Sequence, residues 1–305
     1  MRKKLGVALG SGSARGWSHI GVLNALAEAG ITVDYIAGTS IGSVVGAVFS
    51  IGDIRGFERF VRGIDWKGIV SLIDVTFPGS GLIPGKRLFR MLSEYYRDVK
   101  IENLPVPYCA VAADVETGEE VRFTSGRIID AVRASVSIPG IFTPFRYEGR
   151  ILVDGGIVNP VPVDIVREMG ADVVLAVDLN SCKTASVTPA PVPEPEMKTG
   201  EERESRILHM LEEKYKEITG TIKTKIDSIR SREHFLNILE ILDNSANIVQ
   251  RSITENQFKL SRPDLIIEPR LGDFRLLDFD RGDEAIDEGY SLTCLKTDTL
   301  KDMLG

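Results

Sequence analysis

Histidine and cysteine are both scarce in this chain, three of each among 305 residues. Cys109, Cys182 and Cys294 are scattered. They supply neither a disulfide framework nor the paired spacing of a structural metal site, and they fit a reducing compartment. His19, His209 and His234 are equally far apart, and no group of Asp, Glu or His has ligand spacing, so neither metal nor cofactor is expected. Positive charge is short as well. A formal net charge of −7 argues against a surface that tracks nucleic-acid phosphates and against strong electrostatic attachment to anionic lipid. Contact with a membrane through an apolar patch stays open. No apolar run reaches the length of a membrane span. The basic start at Arg2, Lys3 and Lys4 leads into an apolar stretch that breaks at Gly10, too short for a signal peptide. The expectation is a cytoplasmic protein, at most peripheral to the inner membrane, long enough to bury a sizeable core.

What is present is an alternation. Leu5–Leu9 reads as a buried strand, and Ser18–Gly30 as a helix ending on a glycine. "VDYIAG" is the next strand and Ile41–Ile51 the next helix. That helix carries so few charges that it should be buried on most sides. The β-α-β-α order predicts an α/β fold, a parallel sheet covered by helices. Between Tyr108 and Gly126, two strand-like runs flank Glu116-Thr117-Gly118-Glu119, a hairpin signal. A helix follows from Arg127 and stops before Pro139. Strand, loop, helix and strand follow from Gly149 to Asn180.

Composition changes at Lys183. The next twenty or so residues are proline-rich and read as exposed and extended. From Glu201 to about Gln257 the chain is charged and helical in period. There Ile207, Leu208, Leu211, Tyr215, Ile218, Ile222 and Ile226 form one apolar stripe, suited to packing or to a mobile lid. Pro263–Pro269 adds a last strand, and Arg281–Leu304 one amphipathic helix. The expected organisation is a core over 1–182, an insertion over 183–261, and a closing strand and helix over 262–305.

Three short motifs stand at ends of predicted strands, where α/β sheets gather ligands. "LGSGSARG", after the first strand, turns backbone N–H groups toward one point at a helix N-terminus, suited to an anion or oxyanion. It is a poor dinucleotide fingerprint, because Arg15 stands where the third glycine belongs. "GTSIG" frames Ser40 between Gly38 and Gly42, a strand-to-helix turn that exposes a serine hydroxyl. "LVDGG" ends a strand on Asp154 before Gly155 and Gly156. This is either an Asx turn or a carboxylate aimed at Ser40. A serine nucleophile needs a base. His209 and His234 lie in the charged helical segment with no strand end nearby, and His19 sits early in a helix. Ser40 with Asp154 is the better physical fit, and a Ser-His-Asp triad the rival.

"LGSGSARGWSHIGVL", "GTSIGSVVGA", "ASVSIPGIFTPF" and "LVDGGIVNPVPV" together resemble the patatin-like phospholipase family. The likeness is strongest to its bacterial members and to the esterase domain related to neuropathy target esterase. It covers about Leu5 to Leu179, with Pro263 to Tyr290 resembling the family's last strand and helix. The resemblance implies helices on both faces of the sheet and hydrolysis of lipid or lysolipid acyl esters by a Ser-Asp dyad. It makes Ser40 the nucleophile, Asp154 the base, and the amides around Ser11, Gly12 and Ser13 the oxyanion hole. Arg15 matches the family's basic residue, which either attracts a lipid phosphate or holds a loop. The family's loop is usually all glycine, whereas this chain has Ser11 and Ser13. A catalytically quiet lipid-binding or scaffold protein on the same fold is the other reading.

Overall fold

Two runs of small and branched residues build the centre of the molecule. β1 (Leu5–Leu9) and β2 (Tyr35–Thr39) are apolar almost throughout, as strands covered on both faces must be. They pair in parallel, with Leu9 opposite Gly38. The structure is a computed structural model that describes residues 2–72, 81–83, 85–96, 98–181 and 233–305. Between β1 and β2 lies α1 (Ser18–Glu28). After β2 come α2 (Ile41–Ile51), α3 (Ile54–Gly63), α4 (Trp66–Leu72), β3 (Gly81–Ile83) and α5 (Lys86–Tyr96). β4 (Tyr108–Asp114) and β5 (Glu120–Phe123) form the expected hairpin. Next are α6 (Ile128–Ser135), β6 (Gly140–Phe142), β7 (Phe145–Tyr147), β8 (Arg150–Asp154), α7 (Val163–Glu168) and β9 (Val173–Val177). α8 (Glu233–Leu260), β10 (Leu265–Ile267), α9 (Gly282–Cys294) and α10 (Thr297–Leu304) complete the described chain.

The main sheet runs β10-β9-β1-β2-β4-β8-β7, with β5 also on β4. From β10 to β4 every pairing is parallel. Beyond β4 the sheet turns antiparallel, through β4 with β8 and β8 with β7. The α/β architecture read from the sequence is therefore present, with an antiparallel arm added. Helices cover both faces. The larger core joins Leu9, Leu23, Ile36, Val45, Val132 and Ile286, which draws α1, α2, α6 and α9 together. The opposite face buries Ala8, Ala37, Val111 and Val174 beneath Val163 and Val166 of α7, with Phe258 of α8 packed against it. α2 is buried along nearly its whole length, as its lack of charge predicts.

The chain forms two compact units, Met1–Ala185 with Asn244–Gly305, and Ser186–Asp243. Residues 244–260, grouped by composition with the insertion, pack within the main unit; the reason is Asn247, Thr254 and Phe258, which bury one side of α8. The apolar stripe from Ile207 to Ile226 lies outside the described residues. The single helix expected over Arg281–Leu304 is two. Thr293 Oγ1 donates to the Gly289 carbonyl at 2.7 Å, and Lys296 N closes a tight turn on Thr293. A threonine bonded back to its own helix disturbs the ladder, and the turn lets Leu300 of α10 reach the core. α1 and α9 touch backbone to backbone. A side chain at Gly21 would run into the Ile286 carbonyl, and one at Gly289 into the Ser18 carbonyl. The two ends of the chain also meet: Lys3 N donates to Leu304 O at 3.2 Å and Lys3 Nζ to Met303 O at 2.9 Å.

Candidate active site

β2 ends at Thr39 and α2 begins at Ile41, so Ser40 alone makes the turn. Its backbone sits at φ 57°, ψ −125°. A residue with a Cβ holds such a conformation at a cost of about 1–3 kcal/mol and needs surrounding support. Support comes from both sides. Ser40 N donates to Ser135 Oγ at 2.9 Å, and Ser40 O accepts from Ser43 Oγ at 2.6 Å. The flanking glycines are a steric requirement. A side chain at Gly38 would run into the Gly42 carbonyl, and one at Gly42 into the Leu9 carbonyl. A serine at a helix N-cap ordinarily turns its hydroxyl back to the first amides. Ser40 occupies the cap of α2 but makes no such bond. Its hydroxyl donates instead to Asp154 Oδ2 at 2.5 Å.

Asp154 arrives on the antiparallel arm. In β4, Val111 lies opposite Thr39 and the next residue, Ala112, opposite Asp154. The register thus brings Asp154 level with Ser40 across one intervening strand. Asp154 N donates to Ser137 O at 2.9 Å, and Asp154 Oδ1 accepts from Gly156 N at 2.8 Å. A side chain at Gly155 would run into the Val111 carbonyl. The Asp154 carboxyl is buried, and burial pushes its pKa up to about 6; the hydrogen bonds from Ser40 and Gly156 restrain that rise.

Of the three amides expected to face an oxyanion, one is taken. Ser11 N donates to Pro160 O at 2.9 Å, and Ser11 is corrected to a loop anchor. No hydrogen bond among the described residues engages the amides of Gly12 or Ser13. Ser13, at φ 50°, holds a conformation that favours glycine. Gly12 is confined differently: a side chain there would come within 2.7 Å of Leu179.

Arg15 does not face the site. Its guanidinium is buried and donates to Gly12 O at 3.3 Å, Leu179 O at 3.0 Å and Asn247 Oδ1 at 2.8 Å. Of the two roles read for it, holding a loop is the one its surroundings serve. Two carbonyls and an amide oxygen take part in that holding. His19 is wholly buried, with Nε2 2.8 Å from the Gly10 carbonyl, and burial pushes its pKa down to about 4. It is a neutral core histidine that holds the glycine loop. His209 lies outside the described residues, and His234 belongs to α8 in the smaller unit.

Ser40 opens into a cavity of about 140 Å³. Ser13 and Ser40 are the hydroxyl-bearing residues of an otherwise apolar wall that includes Val44, Phe57, Leu88, Met91, Phe142 and Leu276. Among the described residues, no group of three or more His, Cys, Asp or Glu could hold a metal ion. No described helix is long and apolar enough to cross a membrane. Ser135, Ser137 and Asn159 escape a reading of spacing. Asn159 O accepts from Thr39 Oγ1 at 2.7 Å and ties the end of β2 to the loop after Asp154. Each of these acts through a contact that only the fold creates.

A family model described as patatin-like phospholipase matches residues 7–167. An uncharacterized NTE family protein of Mycobacterium tuberculosis is 39% identical over 177 residues, covering 58% of this chain and 49% of that protein. Patatin-like phospholipase domain-containing protein 7 of Rattus norvegicus is 35% identical over 192 residues, 60% of this chain and 14% of its own. Patatin-like phospholipase domain-containing protein 6 of Homo sapiens is 38% identical over 185 residues, 58% of this chain and 13% of its own. The match spans about half the length of the mycobacterial relative and a much smaller share of the mammalian ones.

Proposed function

The chain belongs to the patatin-like phospholipase family, and from that premise we propose that it is a serine acyl hydrolase of lipid esters, of phospholipase A or lysophospholipase type. The observation that carries the reading is the 2.5 Å hydrogen bond from Ser40 Oγ to Asp154 Oδ2 at the head of an apolar cavity.

In this reading the acyl chain enters the cavity and its carbonyl rests beside Ser40. Asp154 Oδ2 takes the Ser40 proton as Oγ attacks the carbonyl carbon. The oxyanion is held by the amides of Gly12 and Ser13, and donors of this kind are worth about 3–4 kcal/mol each in related chemistry. The positive end of α2, left uncapped by the Ser40 hydroxyl, adds to that field. Collapse of the adduct breaks the ester C–O bond, and Asp154 returns the proton to the departing alcohol. Water then attacks the acyl-serine while Asp154 takes its proton. Fatty acid leaves and Ser40 Oγ is protonated again. A carboxyl with a pKa near 6 is a better base than a solvated one.

The test is hydrolysis of p-nitrophenyl butyrate and of a lysophospholipid. Ser40→Ala and Asp154→Asn should each abolish nearly all turnover, with the double variant little worse, because members of one unit are not additive. Near-normal turnover by folded Asp154→Asn would overturn the dyad.

A further inference from the structure

α8, the helix at the end of the stretch read as an insertion, reaches back to the loop carrying the proposed oxyanion amides, and a single side chain makes the junction. Gln250 Oε1 of α8 accepts from Ser11 Oγ at 2.6 Å and from Asn180 Nδ2 at 2.9 Å. Asn180 Nδ2 also lies 3.3 Å from Ser11 O. Ser11 is thereby held on both its hydroxyl and its carbonyl, one residue before Gly12. The other end of the Gln250 amide faces the second half of the site. A methyl group at Gly156 would come 2.5 Å from Gln250 Nε2 and 3.1 Å from Asp154 Oδ1, so these two atoms flank one small space. One turn away on the same helix, Asn247 receives Arg15 at 2.8 Å. α8 therefore grips the loop at two points, three residues apart on one helical face.

We propose that Gln250 is a positioning residue for acyl transfer, which fixes the Gly12 and Ser13 amides through the Ser11 hydroxyl. This rests on the Ser40–Asp154 reading above. It also accounts for the serine at position 11. Glycine there would leave the loop free to move, whereas the Ser11 hydroxyl fastens it to a helix from a distant part of the chain. An oxyanion hole works by being in place before the charge develops, so its rigidity enters turnover more than substrate affinity.

The experiment is steady-state hydrolysis of p-nitrophenyl butyrate by the full chain, across pH. Gln250→Ala and Ser11→Ala should each lower kcat by about tenfold with KM within about twofold. That is less than the hundredfold or more for removing an oxyanion donor outright, because the amides are displaced and not lost. The double variant should match the worse single one, since both remove the same bond. Gln250→Glu keeps an acceptor for Ser11 and Asn180 and should restore kcat on the high-pH plateau. Its carboxylate beside Asp154 should move the acid limb to higher pH. Glu255→Ala, on the exposed side of α8, should leave kcat unchanged. Additive losses in the double variant, or an equal loss in Glu255→Ala, would overturn the proposal. So would wild-type kcat in Gln250→Ala. If Gln250→Ala does not fold, Ser11→Ala and Gln250→Glu carry the test alone. Full activity in Ser40→Ala would sink the dyad itself, an outcome that these variants do not produce.

Discussion

Asp154 and His19 are both buried, and their linkage to stability has opposite signs across the same pH window. An aspartate ordinarily titrates near 3.8, and burial raises Asp154 to about 6. Between those values the folded chain holds its proton more tightly than the unfolded chain. The stability from neutral Asp154 is therefore complete below about pH 4 and lost as pH rises through 6. His19 is lowered from 6.5 to about 4. There the unfolded chain binds the extra proton, so its contribution is complete above 6.5 and lost as pH falls toward 4. Each displacement corresponds to about 3 kcal/mol, and in the wild-type chain the two oppose each other. Asp154→Asn keeps an acceptor for Gly156 N and offers a donor to Ser40 Oγ while removing the titration. Its advantage over wild type should be near zero at pH 4 and grow to about 3 kcal/mol at pH 7. At this chain length, that is a gain of roughly 5 °C in Tm. His19→Gln should show the mirror image, an advantage at pH 4 that vanishes by pH 7. The assay is urea unfolding of the three proteins from pH 4 to pH 7.5. In parallel, wild-type kcat/KM should rise with an apparent pKa near 6. A difference between Asp154→Asn and wild type that does not change with pH would refute this account. So would a variant less stable than wild type at pH 7.

Two other outcomes follow from close approach and from cavity shape. Gly42→Ala should abolish activity and lower Tm sharply, because the added methyl group meets the Leu9 carbonyl, which sits in the central strand and cannot give; a stable, active Gly42→Ala would refute the steric argument. Leu88→Trp narrows the cavity that Leu88 and Ser40 both line and should depress kcat/KM for long-chain p-nitrophenyl esters more than for butyrate. Each buried methylene is worth about 0.8 kcal/mol, or about fourfold, so a series of chain lengths reads where the wall now stands. An unchanged chain-length profile would mean that the acyl chain lies elsewhere.

The turn at Ser40 is legible in the sequence because what marks it is local. A turn at positive φ pressed between two backbone carbonyls requires glycine on both sides, and that pattern occupies five consecutive residues. The alternation of buried strands and helices is legible for a similar reason, since parallel strands covered on both faces must be apolar throughout. Ser11 and Arg15 are not. Their partners, Pro160, Asn247 and Gln250, lie far along the chain, and only the folded sheet brings them to the loop. The antiparallel arm is also hidden, because Asp154 looks like any strand-end aspartate until its register with Ala112 is known. The break between α9 and α10 depends on Thr293 bonding back to its helix, a choice that amphipathic spacing does not record.

The meeting of Lys3 with Met303 and Leu304 gives the main unit a gate where its two outer ends lie together. Residues 3 and 304 of the main unit lie side by side and not at opposite poles. A longer chain can then carry the unit as a side branch, its own flanking segments meeting as they would around a short loop. The distance from Ser40 to Asp154 is set inside the sheet, and a host attached at the gate has no need to span it.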